Sequence, residues 1–356
     1  MKKHNFNAGP AILPDSVLEK AAASVIDLNG SGLSILEVSH RGADFTAIIE
    51  RAEALTRQIL DLPDDYAVLF LSGGASSQFF MTAMNLLDES GKAYYVDTGS
   101  WSSKAIKEAR LFGQVEVLAS SKDRNYSYIP KGYEVPSDGT YLHLTSNNTI
   151  FGTQFHEWPE SPIPVVCDMS SDIFSRPIDL SRFDLIYAGA QKNLGPAGTT
   201  LVIVRKELLG RVNRQLPSML DYRNHIDQNS CYNTPPVFPI YVCMLTLEWI
   251  LEQGGLSALE ERNRQKAELL YRQIDVNPLF RGVAETADRS WMNVTFVATD
   301  PEREKTFLKT CQEAGCVGVK GHRSVGGFRA SIYNAMPLES VRVLAEVMEA
   351  FAHQHA

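Results

Sequence analysis

The sequence predicts an α/β protein in which helices cover a mainly parallel sheet. Two observations carry that expectation. Between Asp15 and Gly254, helix-periodic stretches alternate with short β-rich runs. The composition, 44% apolar and 21% charged over 356 residues, is that of an ordinary globular chain with enough length for about two domains.

Three helices are expected in the first half. Asp15–Asn29 follows Pro14, with Asp15 and Ser16 as candidate caps. Phe45–Leu60 places Phe45, Ile48, Ile49, Ala52, Leu55 and Ile59 at helical spacing, and Gln78–Leu87 follows a glycine-rich turn. Seven runs rich in β-branched and aromatic residues read as strands: Ala67–Leu71, Ala93–Val96, Val115–Leu118, Tyr141–Thr145, Val165–Cys167, Leu185–Ala188 and Thr200–Val204. A second unit begins near Gly254-Gly255 with a charged helix, about Ala258 to Ile274. There follow a strand at Asn293–Val297, a helix at Glu302–Ala314, a glycine-rich loop, a strand at Phe328–Ile332 and a last helix from Leu338. The expected division is a large α/β domain over 15–254 and a small α+β domain over 255–356, joined by the N-terminal segment 1–14.

Charge narrows the function. Lys+Arg 34 against Asp+Glu 42 gives a net charge of −8 with no continuous basic stripe, which argues against nucleic acid as a partner. Cys167, Cys231, Cys243, Cys311 and Cys316, odd in number and irregularly spaced, read as free thiols of a reducing compartment, and no metal site is expected. No signal peptide or membrane-spanning run is recognisable, so a cytoplasmic protein without membrane contact is expected.

The most informative stretch is Asp184–Val204. A strand ends at Gly189, and Lys192 follows in a turn of small residues closed by Gly195-Pro196-Ala197-Gly198. That puts a lysine just outside the carboxyl end of a strand, where α/β sheets bind ligands and where a partly desolvated amine can attack a carbonyl. Asp168 closes another buried strand. A carboxylate there calls for a cationic or protonated partner, and the combination suits pyridoxal phosphate, whose ring nitrogen an aspartate keeps protonated; a helix N-cap is the competing role. Ser72-Gly73-Gly74-Ala75-Ser76-Ser77, between a strand and a helix, can present backbone N–H groups to a phosphate, or can be a plain capped turn. Trp101 can offer an aromatic face to a heteroaromatic ring or lie in the core. Thr149 can bond a ring hydroxyl or phosphate, within a run that also suits a turn. The pairs His40-Arg41 and His322-Arg323, with Arg329, would select a small, doubly anionic substrate if they converge. Glycines flank His322-Arg323 and free that loop to fold over a ligand.

Motifs spread along the whole chain resemble those of the phosphoserine aminotransferases, pyridoxal-phosphate enzymes of the class V, fold type I group. They are Phe6-Asn7-Ala8-Gly9-Pro10, Val38-Ser39-His40-Arg41, Ala188-Gly189-Ala190-Gln191-Lys192-Asn193, Tyr232-Asn233-Thr234-Pro235-Pro236, Gly321-His322-Arg323 and Phe328-Arg329-Ala330-Ser331-Ile332-Tyr333-Asn334. The resemblance implies a fold type I transferase with a large, mainly parallel seven-stranded sheet domain and a smaller α+β domain. It further implies that Lys192 forms the internal Schiff base, Asp168 pairs with the pyridine nitrogen and Trp101 stacks on the ring. Thr149, Gln191, Ala75 and Ser76 would hold the cofactor's hydroxyl and phosphate. Asn233 and Thr234 would reach that phosphate from the neighbouring subunit of a homodimer. Arg41 and Arg329 match the substrate-carboxylate and substrate-phosphate positions, with His40, His322 and Arg323 completing the pocket. Many relatives carry Arg where this chain has Ser76, so only the backbone contact there carries over.

The implied reaction moves the amino group of L-glutamate to 3-phosphohydroxypyruvate, giving O-phospho-L-serine and 2-oxoglutarate for serine biosynthesis. In bacterial relatives it extends to 4-phosphohydroxy-L-threonine in pyridoxine biosynthesis. Three other readings compete. A serine–glyoxylate aminotransferase shares the cofactor, a cysteine desulfurase needs a thiol on a mobile loop, and a non-catalytic phosphate-ligand binder has no use for a nucleophilic Lys192.

Overall fold

The structure, a computed structural model, describes residues 2–355. The chain starts with a short strand β1 (His4–Asn5) and helices α1 (Asp15–Ile26) and α2 (Ala43–Leu60). It then alternates through β2 (Tyr66–Leu71), α3 (Gly74–Leu86), β3 (Lys92–Asp97), α4 (Ser100–Ala109), β4 (Gln114–Ser120) and β5 (Tyr141–Thr145). A small hairpin, β6 (Asn147–Asn148) with β7 (Thr153–Gln154), precedes β8 (Val165–Asp168), β9 (Leu185–Gly189) and β10 (Thr200–Arg205). The central sheet has the order β2-β10-β9-β8-β5-β3-β4, and only β10 runs antiparallel to its neighbours. All seven runs expected as strands lie in this sheet.

Both faces of the sheet are covered, and the alternation along each strand says by what. Val68, Phe70, Leu142, Leu144, Ile186 and Ala188 join a core that contains the apolar residues of α1 and α2. Leu69, Tyr95, Tyr141, Val166 and Tyr187 turn the other way, into a core with Phe79 of α3 and Ala105 of α4. Each such fully buried large side chain contributes about 1.5–3 kcal/mol, and a strand buried on both faces reads in sequence as an unbroken apolar run. Tyr66–Leu71, in which every residue is buried, is such a run.

The rest of the chain comprises α5 (Tyr222–Asp227), α6 (Val237–Glu252), α7 (Gly255–Val276), β11 (Phe280–Gly282), β12 (Asn293–Ala298), α8 (Glu304–Glu313), β13 (Cys316–Val317), β14 (Phe328–Ser331) and α9 (Leu338–His355). Strands β11, β12 and β14 form an antiparallel sheet, and β13 pairs in parallel with β1. A separate core unites Phe280, Phe296, Phe307, Phe328 and Phe351 with Phe6 and Ile12 of the N-terminal segment.

Three local expectations need correction. Neither Asp15 nor Ser16 caps α1; Pro14 occupies the N-cap position without a side-chain bond, and Asp15, in the first turn, pairs with Lys2. An acidic group there still favours the positive end of the helix. Helix α3 starts at Gly74, not Gln78, because positive φ at Gly73 (101°) and Gly74 (67°) turns the chain directly into it. Helix α1 also ends at Ile26, short of Asn29.

Candidate active site

Five parallel strands deliver their carboxyl ends to one edge of the sheet, and each is followed by residues expected to bind. Strand β2 leads into Gly73–Ser76, β3 into Trp101, β5 into Thr149, β8 ends on Asp168, and β9 leads to Gln191 and Lys192. The antiparallel β10 is reached from β9 by a short turn. The Lys192, Leu194 and Gly195 N–H groups all donate to the Ala190 carbonyl, which folds Lys192 back over the sheet edge. The N-terminal segment braces this turn, with the Ala11 N–H donating to the Gln191 carbonyl at 2.9 Å.

A cavity of about 140 Å3 at this edge is lined by Ala75, Ser76, Trp101, Asp168, Gln191 and Lys192. Lys192 Nζ donates to Thr149 Oγ1 at 2.8 Å and stands 5.9 Å from the centroid of the Trp101 ring. Desolvation lowers the Lys192 ammonium to about 8; the nearby Asp168 carboxylate opposes that shift and the Arg329 guanidinium reinforces it. At pH 7 about a tenth of this amine is therefore unprotonated, far more than for an ordinary lysine, and that is the form that attacks carbonyls. Asp168 is 5% exposed and burial pushes its carboxyl up, although Oδ1 accepts the Ser170 N–H at 2.9 Å. The competing cap role is excluded, since the residues after Asp168 form turns and not a helix.

Ala75 and Ser76 lie in the first turn of α3, where unpaired N–H groups and the helix dipole favour an anion. Two buried polar atoms on the rim, Trp101 Nε1 and Thr145 Oγ1, lack a hydrogen-bond partner among the described residues. Such atoms are costly unless a ligand or water meets them. Arg329, on β14, approaches from the smaller sheet. Its guanidinium reaches the Thr149 carbonyl at 3.5 Å, its Nε is buried without a partner among the described residues, and burial lowers its pKa. It is a cation held ready for an anion.

Not every expected residue joins them. His322 and Arg323 sit on the loop 321–327, closed by the Gly321 N–H on the Gly327 carbonyl at 2.8 Å. Val325 of that loop packs with Tyr126, Ile150 and Phe151 in the cluster that Trp101 also touches. His40 and Arg41 instead line a different hollow with Gln228, Asn229, Cys231 and Tyr232. Asn233 and Thr234, which follow Tyr232 in the chain, are exposed, and neither lines the cavity around Lys192. A larger cavity of about 530 Å3, lined by Tyr133, Phe155 and Trp158, contains none of the expected residues.

The Aminotransferase class-V family profile matches residues 3–344. The chain belongs to the class V aminotransferases. It is 60% identical over 351 residues to the phosphoserine aminotransferase of Flavobacterium johnsoniae, covering 98% of this chain and 99% of that one. It superposes on the phosphoserine aminotransferase from Bacillus circulans subsp. alkalophilus with a TM-score of 0.97 at 50% identity, covering 100% and 99% of the two chains. The structure of a PLP-bound phosphoserine aminotransferase from Trichomonas vaginalis matches with a TM-score of 0.93 at 37% identity, over 98% of this chain and 100% of that one. The fold is thus that of the pyridoxal-phosphate aminotransferases, and pyridoxal phosphate is the cofactor of this one.

For a class V aminotransferase the cavity holds the right parts: an amine, a buried carboxylate, an aromatic face and a helix N-terminus. Several of its lining residues carry no local signal in the sequence: Phe79, Thr145, Asn147, Ser170 and Ser171. Asn147 and Ser171 lay in the polar runs that follow β5 and β8, and their position after strand ends was the available clue. The thiols contribute nothing here: Cys167, Cys243, Cys311 and Cys316 are buried, and burial raises the pKa of all five.

Proposed function

We propose that this aminotransferase transfers the amino group of L-glutamate to 3-phosphohydroxypyruvate, forming O-phospho-L-serine and 2-oxoglutarate in serine biosynthesis. The observation that carries the reading is a desolvated Lys192 in a cavity with an anion-binding helix start and under the charge of Arg329, whose Nε has no partner among the described residues. Full-length relatives named phosphoserine aminotransferase support it.

Pyridoxal phosphate supplies an aldehyde to take up an amine and a ring to accept electrons. Lys192 is the amine that would hold it. Displaced by a substrate amine, Lys192 is free to move a proton to and from the substrate's α-carbon, a task its pKa of about 8 suits. Asp168 would keep a proton on the ring nitrogen, and the interaction repays the cost of its burial. Trp101 would cover one face of the ring, with Thr149 and Gln191 beside it, and the Ala75 and Ser76 N–H groups would hold the phosphate. Of the two arginines that the resemblance matches to the carboxylate and phosphate positions, Arg329 would take the carboxylate, because it bonds Thr149, whose hydroxyl accepts from the reacting amine. His322 and Arg323, with His40 and Arg41, would take the second anion, the phosphate.

That assignment needs two copies of the chain. His40 and Arg41 line a hollow with Tyr232, the sequence neighbour of Asn233 and Thr234, and none of the four lines the cavity around Lys192, as expected if each subunit completes its partner's site in a homodimer. The protein would work in the cytoplasm, where its five free thiols stay reduced, on small-molecule substrates. We place the division of the chain at Gly254-Gly255, giving a large domain over 15–254 and a small one over 255–356 with residues 1–14.

The test is the visible absorption spectrum with O-phospho-L-serine, and with L-serine as control. Conversion of the cofactor band to the amine form by phosphoserine alone is the expected result. Equal or faster conversion by serine would overturn the phosphate assignment.

A further inference from the structure

Behind the site lies a lysine that the reaction does not use. Lys266, on α7, is 2% exposed, and its charged neighbour is Arg262 rather than a carboxylate. An unpaired buried amine is costly, so its hydrogen bonds must account for it. Nζ donates to the Ile332 carbonyl at 2.9 Å and to the Tyr333 carbonyl at 2.6 Å. Burial lowers this ammonium to about 7, but the neutral amine still carries two N–H groups for two carbonyls, so the clamp holds in either state.

The clamped segment joins both halves of the site. It continues β14, which carries Arg329, and the next residue, Asn334, donates its N–H to Asn193 Oδ1 at 3.0 Å, one position from Lys192. One turn before Lys266, the fully buried Asn263 donates to Asn334 Oδ1 at 2.8 Å and to the Ser175 carbonyl at 3.0 Å. The Tyr333 hydroxyl donates to the Ala8 carbonyl at 2.7 Å, in the segment that braces the Lys192 turn. Helix α7 thereby grips the one stretch of chain that runs from Arg329 to the neighbour of Lys192.

We propose that Lys266 is a positioning residue: by holding the Ile332 and Tyr333 carbonyls it sets the separation between Arg329 and Lys192, and so the fit of a substrate carboxylate. The inference rests on the reading of Arg329 as the carboxylate anchor. The test uses the holoenzyme and glutarate, a five-carbon dicarboxylate with no amine to react, titrated by calorimetry. Lys266→Met is expected to weaken glutarate about tenfold and to raise the KM for L-glutamate by a similar factor, since small displacements of an anchoring group are amplified in binding. Its kcat should change by less than about threefold, with the cofactor's absorption and dissociation constant unchanged. Lys266→Arg, which again offers donors to both carbonyls, should recover most of the loss.

Native glutarate affinity in Lys266→Met overturns the proposal, and so does a loss that comes with weakened cofactor binding, the mark of a general loosening. Should Lys266→Met fail to fold, Lys266→Gln takes its place under the same criteria. Arg329→Met, measured in parallel, separates the two readings. If it leaves glutarate affinity intact, the Arg329 reading fails and takes this one with it; if it weakens glutarate while Lys266→Met does not, only Lys266 has been misread.

Discussion

At Lys192, which lines the cavity, the sequence signal is local: a lysine among alanines and glycines after a strand fits close approach by a ligand. Burial then sets its chemistry. Its pKa is lowered from the ordinary lysine value to about 8, so capture of pyridoxal phosphate by cofactor-free protein should quicken about tenfold per pH unit up to pH 8 and level off above it. Stopped-flow absorbance measures this, and a rate still climbing at pH 10 would contradict it. The sign for stability follows. Between about 8 and the ordinary lysine pKa the unfolded chain binds the extra proton, so this residue's contribution to stability rises with pH there, and its full cost is felt below. Asp168 is shifted the other way, its carboxyl pushed up by burial. Asp168→Asn keeps the shape and removes the charge; cofactor should still bind while single-turnover conversion of O-phospho-L-serine falls at least about 100-fold. Phe79 was not legible, since an apolar residue in a helix looks the same whether or not a cavity forms beside it, and Asn147 had only its position after a strand end to mark it.

Among the elements, the strands of the main sheet were legible, while several helices and the short strands β1, β6, β7, β11 and β13 were not, for physical reasons. A strand buried on both faces is a short apolar run bounded by turns, and six of the seven in the main sheet announce themselves so; the exception is the edge strand β4, in which no residue is buried and Val115 and Val117 flank the exposed Glu116. Helix α6 is buried nearly all round, from Ile240 to Leu247, which erases the polar stripe that periodicity relies on. Helix α4 opens Ser100-Trp101-Ser102-Ser103, poor helix formers, and is held by the Ser102 hydroxyl, which accepts the Gly99 N–H at 2.9 Å and donates to Asp97. Helix α3 depends on Gly73, whose φ of 101° suits glycine and whose missing Cβ leaves room for the Ser77 side chain. Gly73→Ala should therefore disturb the first turn that carries Ala75 and Ser76, weakening pyridoxal phosphate at least about tenfold. Equilibrium dialysis of the variant gives the answer, and unchanged affinity would remove α3 from the phosphate site.

The whole molecule poses the question that one chain leaves open: the cations expected at the substrate stand in two places. Arg329 is beside Thr149 and Lys192, whereas His40 and Arg41 lie with Cys231 and Tyr232, next to Asn233 and Thr234. The resemblance assigns Asn233 and Thr234 to a neighbouring subunit but gives no side for Arg41, because a motif names a residue without saying which copy of the chain brings it. If the sites are shared, each contains Lys192 from one subunit and Arg41 from the other. Lys192→Ala and Arg41→Ala homodimers are then both inactive, one lacking the amine and the other the anion anchor in every site. When the two are dissociated together and reassociated, about half the dimers are mixed, and in each mixed dimer one site has lost both residues while the other has both intact. Activity should return to about a quarter of the unmodified level, with the KM for O-phospho-L-serine normal, since the restored sites are complete. Were Arg41 to serve its own subunit's Lys192, each site in a mixed dimer would still lack one of the two, and mixing would restore nothing.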